Sequence, residues 1–196
     1  MSKLIYIANI SLDGFTEDSH GNFDWTAPND EVFVFITDLV RSAGTYLYGR
    51  RMYETMAVWE TDPAVAADSE LRGEFARVWQ AANKVVFSTT LQDVSTARTQ
   101  LARTFDTDAI RDLKASAAED LDIGGPNLAA HAFRAGLVDE CHLFIHPVFV
   151  GEGKSSLPRD TRADLELLDE RRFGNGVVYV GYRVGSSSDV IRTGNR

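Results

Sequence analysis

A single cysteine in 196 residues leaves no partner for an internal disulfide and no thiolate cluster for a metal, as expected of a protein kept in a reducing cytoplasm. Cys141 lies in an apolar segment and reads as a small buried residue. Long hydrophobic runs are missing too. No stretch approaches the ~20 apolar residues of a membrane-spanning helix, and the run Leu4-Ile5-Tyr6-Ile7-Ala8 is too short for an export signal. No membrane partner is therefore expected. Cations are scarce: 20 Lys and Arg face 29 Asp and Glu, a net charge of −9 that repels nucleic acid at long range. An anionic small ligand would need a local basic site. No repeat or low-complexity linker interrupts Met1 to Val184, so one domain over 1–184 is expected, with a fraying tail over 185–196.

Several catalytic signatures are absent as well. No Gly-x-Gly-x-x-Gly follows a strand, which counts against an ordinary Rossmann site. Val148 to Ser155 ends Gly-Lys-Ser like a P-loop, but Val148 stands where the first glycine is required and Pro158 discourages the helix that must follow. His142 and His146 are four apart in a strand, roughly 13 Å along the chain, too far to share a metal. They read as core or surface histidines, and no metal site is expected. No Gly-x-Ser-x-Gly, no cysteine with a positioned base and no close His-carboxylate pair points to hydrolysis.

What is present is a recurring junction of strand, glycine and helix. Leu121-Asp122-Ile123 breaks at Gly124-Gly125, and Pro126 takes the first helical position, where its missing N–H costs nothing. Leu128, Ala132 and Ala135 give that helix an apolar side, and Gly136 ends it. The free N–H groups at its start favour a phosphate, although close packing of helix on sheet would need the same glycines. Thr45 to Tyr48, Gly49 and Arg50-Arg51 repeat the pattern with two cations, and the strand Lys84 to Ser88 ends in Ser88-Thr89-Thr90. In a parallel sheet such strand ends lie along one edge, so the three can converge on an extended ligand with several phosphates.

The rest of the chain supports that sheet. Lys3 to Ile10 reads as a central strand, and the polar stretch Thr16 to Pro28 as a long loop, either functional or merely superficial. Asn29-Asp30-Glu31 opens a helix with Val32, Phe33, Phe35, Ile36, Leu39 and Val40 on one face and Gly44 as its stop. Leu71 to Ala82 is the next periodic helix, Ala102 to Phe105 a weak strand, and Thr107 the cap of a helix containing Ile110 and Leu113. Alternating strands and helices imply a mostly parallel sheet with helices on both faces. The last third changes character: a long strand Cys141 to Val150, then a hairpin of Leu165 to Leu168 and Val177 to Val184 around Asn175-Gly176.

These segments resemble the dihydrofolate reductase-like fold, in particular the C-terminal reductase domain of the bifunctional riboflavin-biosynthesis deaminase-reductase in a stand-alone form. The likeness runs from Lys3 to about Val184. It is carried by Ser11-Leu12-Asp13-Gly14, Asp24-Trp25, Gly49-Arg50-Arg51-x-Tyr53-Glu54, Ile123-Gly124-Gly125-Pro126, Gly136-Leu137-Val138-Asp139-Glu140 and Pro147 to Lys154. The resemblance implies a three-layer α/β fold, with a mostly parallel central sheet, helices on both faces and an antiparallel C-terminal hairpin. It also implies an NADPH-dependent reductase of a small heterocyclic or carbonyl substrate. Gly49, Arg50, Arg51 and Ser88 would then hold the adenosine 2′-phosphate, Gly124, Gly125, Pro126, Asn127 and Leu128 the pyrophosphate, and Ala8 the nicotinamide.

Asn9, Asp13 and Trp25 would meet substrate, the loop from Asp13 to Trp25 would be a flap, and the Gly124–Gly125 peptide would be cis. Thr89 departs from the arginine of relatives, and Met52 from a threonine. Trp25 followed five residues on by Asp30 resembles the dihydrofolate reductase pair in which the carboxylate binds a pterin, so Asp30 is the candidate catalytic residue. A helix-start role explains it equally. A pterin reductase and a non-catalytic nucleotide-binding module remain the alternatives. No deaminase zinc signature accompanies the domain, and relatives commonly form homodimers through the C-terminal sheet edge, expected here at Cys141 to Val150.

Overall fold

The computed structural model describes residues 2–185, and the expectation for the tail beyond Gly185 lies outside them. In chain order the elements are β1 (Leu4–Ser11), β2 (Phe15–Asp18), a 3-10 turn (Asp24–Thr26), α1 (Asp30–Val40), β3 (Ala43–Gly49) and α2 (Arg50–Met56). Two short helices, α3 (Val58–Thr61) and α4 (Pro63–Ala67), precede α5 (Glu70–Ala81), β4 (Asn83–Phe87), β5 (Thr99–Ala102) and α6 (Thr107–Ser116). Then come β6 (Asp120–Gly124), α7 (Pro126–Arg134), β7 (Glu140–His146), β8 (Gly153–Ser155), β9 (Leu165–Arg172) and β10 (Val178–Val184).

Eight strands form one sheet in the order β5-β4-β3-β6-β1-β7-β10-β9. The pairs from β5 to β7 are parallel, while β10 runs antiparallel to both β7 and β9. Helices cover both faces. On one, Leu128, Ala129, Ala132 and Phe133 of α7 and Ile110 of α6 pack on Leu4, Tyr6, Leu47, Leu121 and Ile123. On the other, Val40 of α1, Tyr53 of α2, and Phe75 and Trp79 of α5 pack on Tyr46, Tyr48 and Val86. Burying side chains of this size contributes about 1.5 to 3 kcal/mol each, so the apolar stripes of α5 and α7 suffice to fix both layers. The three-layer architecture with its antiparallel hairpin is the expected one.

Several local expectations are corrected. Gly44 is not the stop of α1; it lies inside β3, where a Cβ would run into the Glu119 side chain. Asp106, not Thr107, caps α6, because its carboxylate accepts the N–H groups of Asp108 and Ala109. The weak strand ends at Ala102 and leaves Phe105 to pack on Phe87. The strand expected to run to Val150 stops at His146, before Pro147. It is also no edge, since β7 is paired on both sides, by β1 and β10. Its two apolar faces reflect burial between layers. The edge on this side of the sheet is β9, which extends to Arg172 with every residue exposed. Finally, the polar loop is partly regular: β2 pairs with β8 to form a two-stranded strap.

Candidate active site

The carboxyl ends of β4, β3, β6 and β1 lie side by side, and each turn there has a local cause. Gly49 ends β3 in extended conformation and caps α2. Between β6 and α7 the chain turns on Gly125, at φ +93°, ψ 125°, a conformation that disfavours any side chain. The Gly124–Gly125 peptide is trans, as are all peptides described, which corrects the cis expectation: positive φ at Gly125 makes the turn. Gly124 has another reason to be glycine. A Cβ there would lie 2.7 and 2.8 Å from ring carbons of the buried Tyr48. Close packing thus explains Gly124, and the positive-φ turn explains Gly125.

Pro126 stands at the first position of α7, and the first ladder bond runs from the Ala129 N–H to Gly125 O at 3.0 Å. The N–H groups of Asn127 and Leu128 make no hydrogen bond among the described residues and carry the positive end of the helix dipole. This is the donor set a phosphate needs.

The two adjacent arginines diverge. Arg50 donates to Glu54 Oε1 at 2.7 Å and to Thr90 Oγ1 at 3.0 Å, so it borders the turn after β4. Ser88 Oγ accepts the N–H groups of Thr90 (3.2 Å) and Leu91 (2.9 Å) and shapes that turn. Arg103, just past β5, reaches the same turn from the other side and donates to the carbonyls of Ser88 (3.0 Å) and Leu91 (2.6 Å). Thr89 therefore does not leave the turn with a single cation. Arg51 points away: its Nη1 donates to Glu17 of β2 at 3.1 Å, and Lys154 of β8 meets the same carboxylate at 2.6 Å. That ion triad ties the strap to α2. Beside it opens a cleft of about 640 Å3 lined by Phe15, Glu17, Gly21, Gly153, Lys154 and Arg159.

At the end of β1, Ala8 and Asn9 face opposite layers. Ala8 belongs to the core under α7, while Asn9 is in register with Phe144, which packs in the layer of α1. Asn9 Oδ1 lies 3.0 Å from His146 Nε2, and the Trp25 ring meets the His146 ring edge-on at 5.8 Å. His146 is buried, and burial holds its pKa below the usual value, so the ring is neutral at neutral pH. Trp25 Nε1 is buried with no partner among the described residues. Leu12 and Phe149, on the loops leaving β1 and β7, are 70% and 77% exposed and give this end an apolar rim.

The other two carboxylates are placed differently. Asp13 accepts the N–H groups of Val150 (3.2 Å) and Gly151 (2.7 Å) and clamps these two loops together. Its pKa is held low by the Ser11 side chain first and by those N–H groups next. Asp30 follows the true cap, Asn29, whose Oδ1 accepts the Val32 N–H at 3.1 Å. It is exposed and lines a groove with Glu31, Phe35, Asp38 and Arg171, and no hydrogen bond joins it to Asn9, Trp25 or His146. The geometry brings Asn9 and Trp25 together and leaves Asp30 apart.

Arg103 and Glu17 escaped sequence reasoning, and His146, read there as a core or surface histidine, was not assigned to the site. Each acts through cross-strand or cross-loop neighbours that spacing does not reveal; Pro147, which cannot donate to a ladder, was the available signal that the strand ends at His146, but the strand was expected to run through it to Val150. Asp122 escaped it too. It is buried between Ile5 and Tyr46 in register, its Oδ1 has no partner among the described residues, and burial pushes its pKa up to about 7.

Comparison with known proteins places these features in a family. An uncharacterized Bacillus subtilis (strain 168) protein, YyaP, is 29% identical over 182 residues, covering 92% of this chain and 94% of its own. A Shewanella sp. PV-4 structure described as a riboflavin biosynthesis protein shares the fold with TM-score 0.70 at 20% identity, covering 93% of this chain and 98% of that one. A pyrimidine reductase-like protein from Corynebacterium diphtheriae follows with TM-score 0.62 at 15% identity, covering 93% and 92%. The Thermotoga maritima diaminohydroxyphosphoribosylaminopyrimidine deaminase/5-amino-6-(5-phosphoribosylamino)uracil reductase has TM-score 0.61 at 16% identity, covering 93% of this chain and 56% of that one. The sequence model of the RibD C-terminal domain matches residues 2–179, and the chain belongs to that reductase-like family.

Proposed function

We propose that the protein is an NADPH-dependent reductase that transfers hydride to a small heterocyclic or carbonyl substrate, in the manner of 5-amino-6-(5-phosphoribosylamino)uracil reductase. The observation that carries this reading is the convergence of three donor-rich turns at the ends of the adjacent strands β4, β3 and β6. The residues fit the cofactor. The free N–H groups of Asn127 and Leu128 suit the pyrophosphate, and Gly125 leaves room for its approach. Arg50 and Arg103, on either side of the turn at Ser88, suit the 2′-phosphate.

A bound nicotinamide would supply the hydride, and the protein's part is to orient and enclose. Ala8 would border the nicotinamide, and Asn9 and Trp25 the substrate. The strap of β2 and β8, held to α2 through Glu17, would shield the reacting pair from water. Asp13 supports the strap by its clamp on the 150–151 backbone.

The test is turnover. Purified protein should bind NADPH more tightly than NADH and oxidise it in the presence of some member of a panel of ribitylaminopyrimidines, pterins and simple carbonyls. Tight NADPH binding without oxidation across that panel would favour the non-catalytic module. Binding of neither nucleotide would remove the reading altogether.

A further inference from the structure

The connection from β4 to β5, Ser88 to Arg98, has no helix or strand of its own and is held to the rest of the protein by a few contacts. Ser88 and Arg103 shape its first turn, Leu91 and Val94 pack on the core beneath α2 and α5, and Glu60 Oε1 accepts the Ala97 N–H at 2.7 Å. The anchor with the most bonds is Tyr53 of α2. Its side chain is buried, and its Oη accepts the Ser95 N–H at 2.7 Å and lies 3.2 Å from Ser95 Oγ and 3.1 Å from Thr96 Oγ1. Thr96 Oγ1 in turn meets Thr99 Oγ1, at the start of β5, at 2.7 Å. The same turn of α2 touches two further places. Arg50, three residues before Tyr53 and so on the same helix face, donates to Thr90 Oγ1 at 3.0 Å. Met52 abuts the turn after β6: a Cβ at Gly125 would lie 3.6 Å from Met52 Cβ, and one at Gly124 3.1 Å from Met52 Cγ. One helical turn is thus wedged between the turn at Ser88 and the turn at Gly124. Arg50 is half exposed, and an exposed contact holds little, so the buried Tyr53 is the firmer tie.

We propose that Tyr53 is a positioning residue whose hydroxyl, through Ser95 and Thr96, holds the 88–98 connection against α2 and so sets the spacing between the two phosphate-friendly turns. This rests on the reading of the strand ends as an NADPH site, and it names a residue of that site that touches no ligand. A dinucleotide that engages both turns gains from the second contact only when their separation matches its own. Loosening the connection therefore leaves each turn its separate affinity and removes the advantage of joining them.

The probes are NADPH, adenosine 2′-monophosphate, which needs only the turn at Ser88, and inorganic pyrophosphate, which needs only the turn at Gly124. Tyr53→Phe keeps the ring and loses the hydroxyl. It should weaken NADPH about tenfold in calorimetric titration and leave each fragment within about twofold of wild type. Thr96→Val, which cuts the same network from the loop side, should give the same pattern at about threefold. In both variants without ligand, amide hydrogen exchange at Ser95 should speed up while β4 keeps its protection. Unchanged NADPH affinity in both variants, or unchanged exchange at Ser95, would overturn the proposal. A fragment loss as large as the NADPH loss would overturn it too, because the hydroxyl would then shape one turn and not the spacing, as would a wild type that binds NADPH but neither fragment. The two readings fail distinguishably. A wild type that binds no NADPH removes the reductase and the spacing role together, whereas NADPH binding indifferent to Tyr53 removes the spacing role alone.

Discussion

Asp122 makes the stability of this protein depend on pH in a way that can be worked out beforehand. Its carboxyl sits in the middle of the sheet, in register with Ile5 and Tyr46, and among the described residues Oδ1 finds no partner and no cation bonds to it. The neighbouring phenols stay protonated, pushed up by burial first and the Asp122 charge next, but neither bonds to Asp122: Tyr46 donates to Val40 O at 3.5 Å and Tyr48 Oη accepts from Trp79 Nε1 at 3.3 Å. Burial moves the carboxyl from 3.8 to about 7. Below pH 3.8 the group is protonated in both states and costs nothing. As pH rises, the unfolded chain ionises first, and the folded state loses about 1.4 kcal/mol per unit until the buried group also ionises near pH 7. Over about three units the loss is about 4 kcal/mol, a large part of a typical folding free energy. Asp122→Asn keeps the shape and removes the titration. Urea unfolding at half-unit steps from pH 4.5 to 8 should give a wild-type free energy that falls relative to the variant by about 1.4 kcal/mol per unit up to pH 7, then levels. Parallel profiles for the two proteins would refute the argument.

Three further outcomes follow from the site and the sheet. Arg50→Ala and Arg103→Ala should each weaken NADPH about tenfold and leave NADH nearly unchanged, because only the former carries a 2′-phosphate; Arg51→Ala, whose partner is Glu17 on the strap, should affect both nucleotides alike. Equal losses for both nucleotides in the Arg50 and Arg103 variants, by fluorescence titration at low salt, would place the phosphate elsewhere. Gly124→Ala should lower stability by about 1 to 3 kcal/mol in urea, since its Cβ meets the immobile Tyr48 ring, and an unchanged unfolding midpoint would show that the ring can move. We also expect a homodimer through β9, whose outer edge is open and whose Leu165, Leu167 and Leu168 are 45%, 50% and 38% exposed. Sedimentation of the wild type as a monomer at micromolar concentration would exclude it, and Leu167→Lys should dissociate the dimer.

The legible parts of this chain were those written in local periodicity. α1, α5 and α7 carry apolar stripes at helical spacing, and Gly125, Pro126 and Gly136 punctuate the last of them, so element type and order could be read from residues within one or two turns of each other. The open edge could not. Cys141 to His146 is apolar on both faces because it lies in the middle of the sheet, and a sequence pattern cannot tell burial by layers from burial by a second subunit. β9 shows the converse: all eight of its residues are exposed, so it has no alternation to find. The candidate site divides along the same line. Gly124 to Leu128 and Gly49 to Arg51 form junctions within a few residues and were found, whereas the His146 to Asn9 contact spans 137 positions and the Arg103 to Ser88 contact joins two turns. The pairing of Ser11 with His146 in register is what brings the imidazole to Asn9. Two strand-end residues distant in sequence thus become neighbours only once the parallel sheet has formed, and the polar chemistry of the site depends on a register set by the hydrophobic core beneath it.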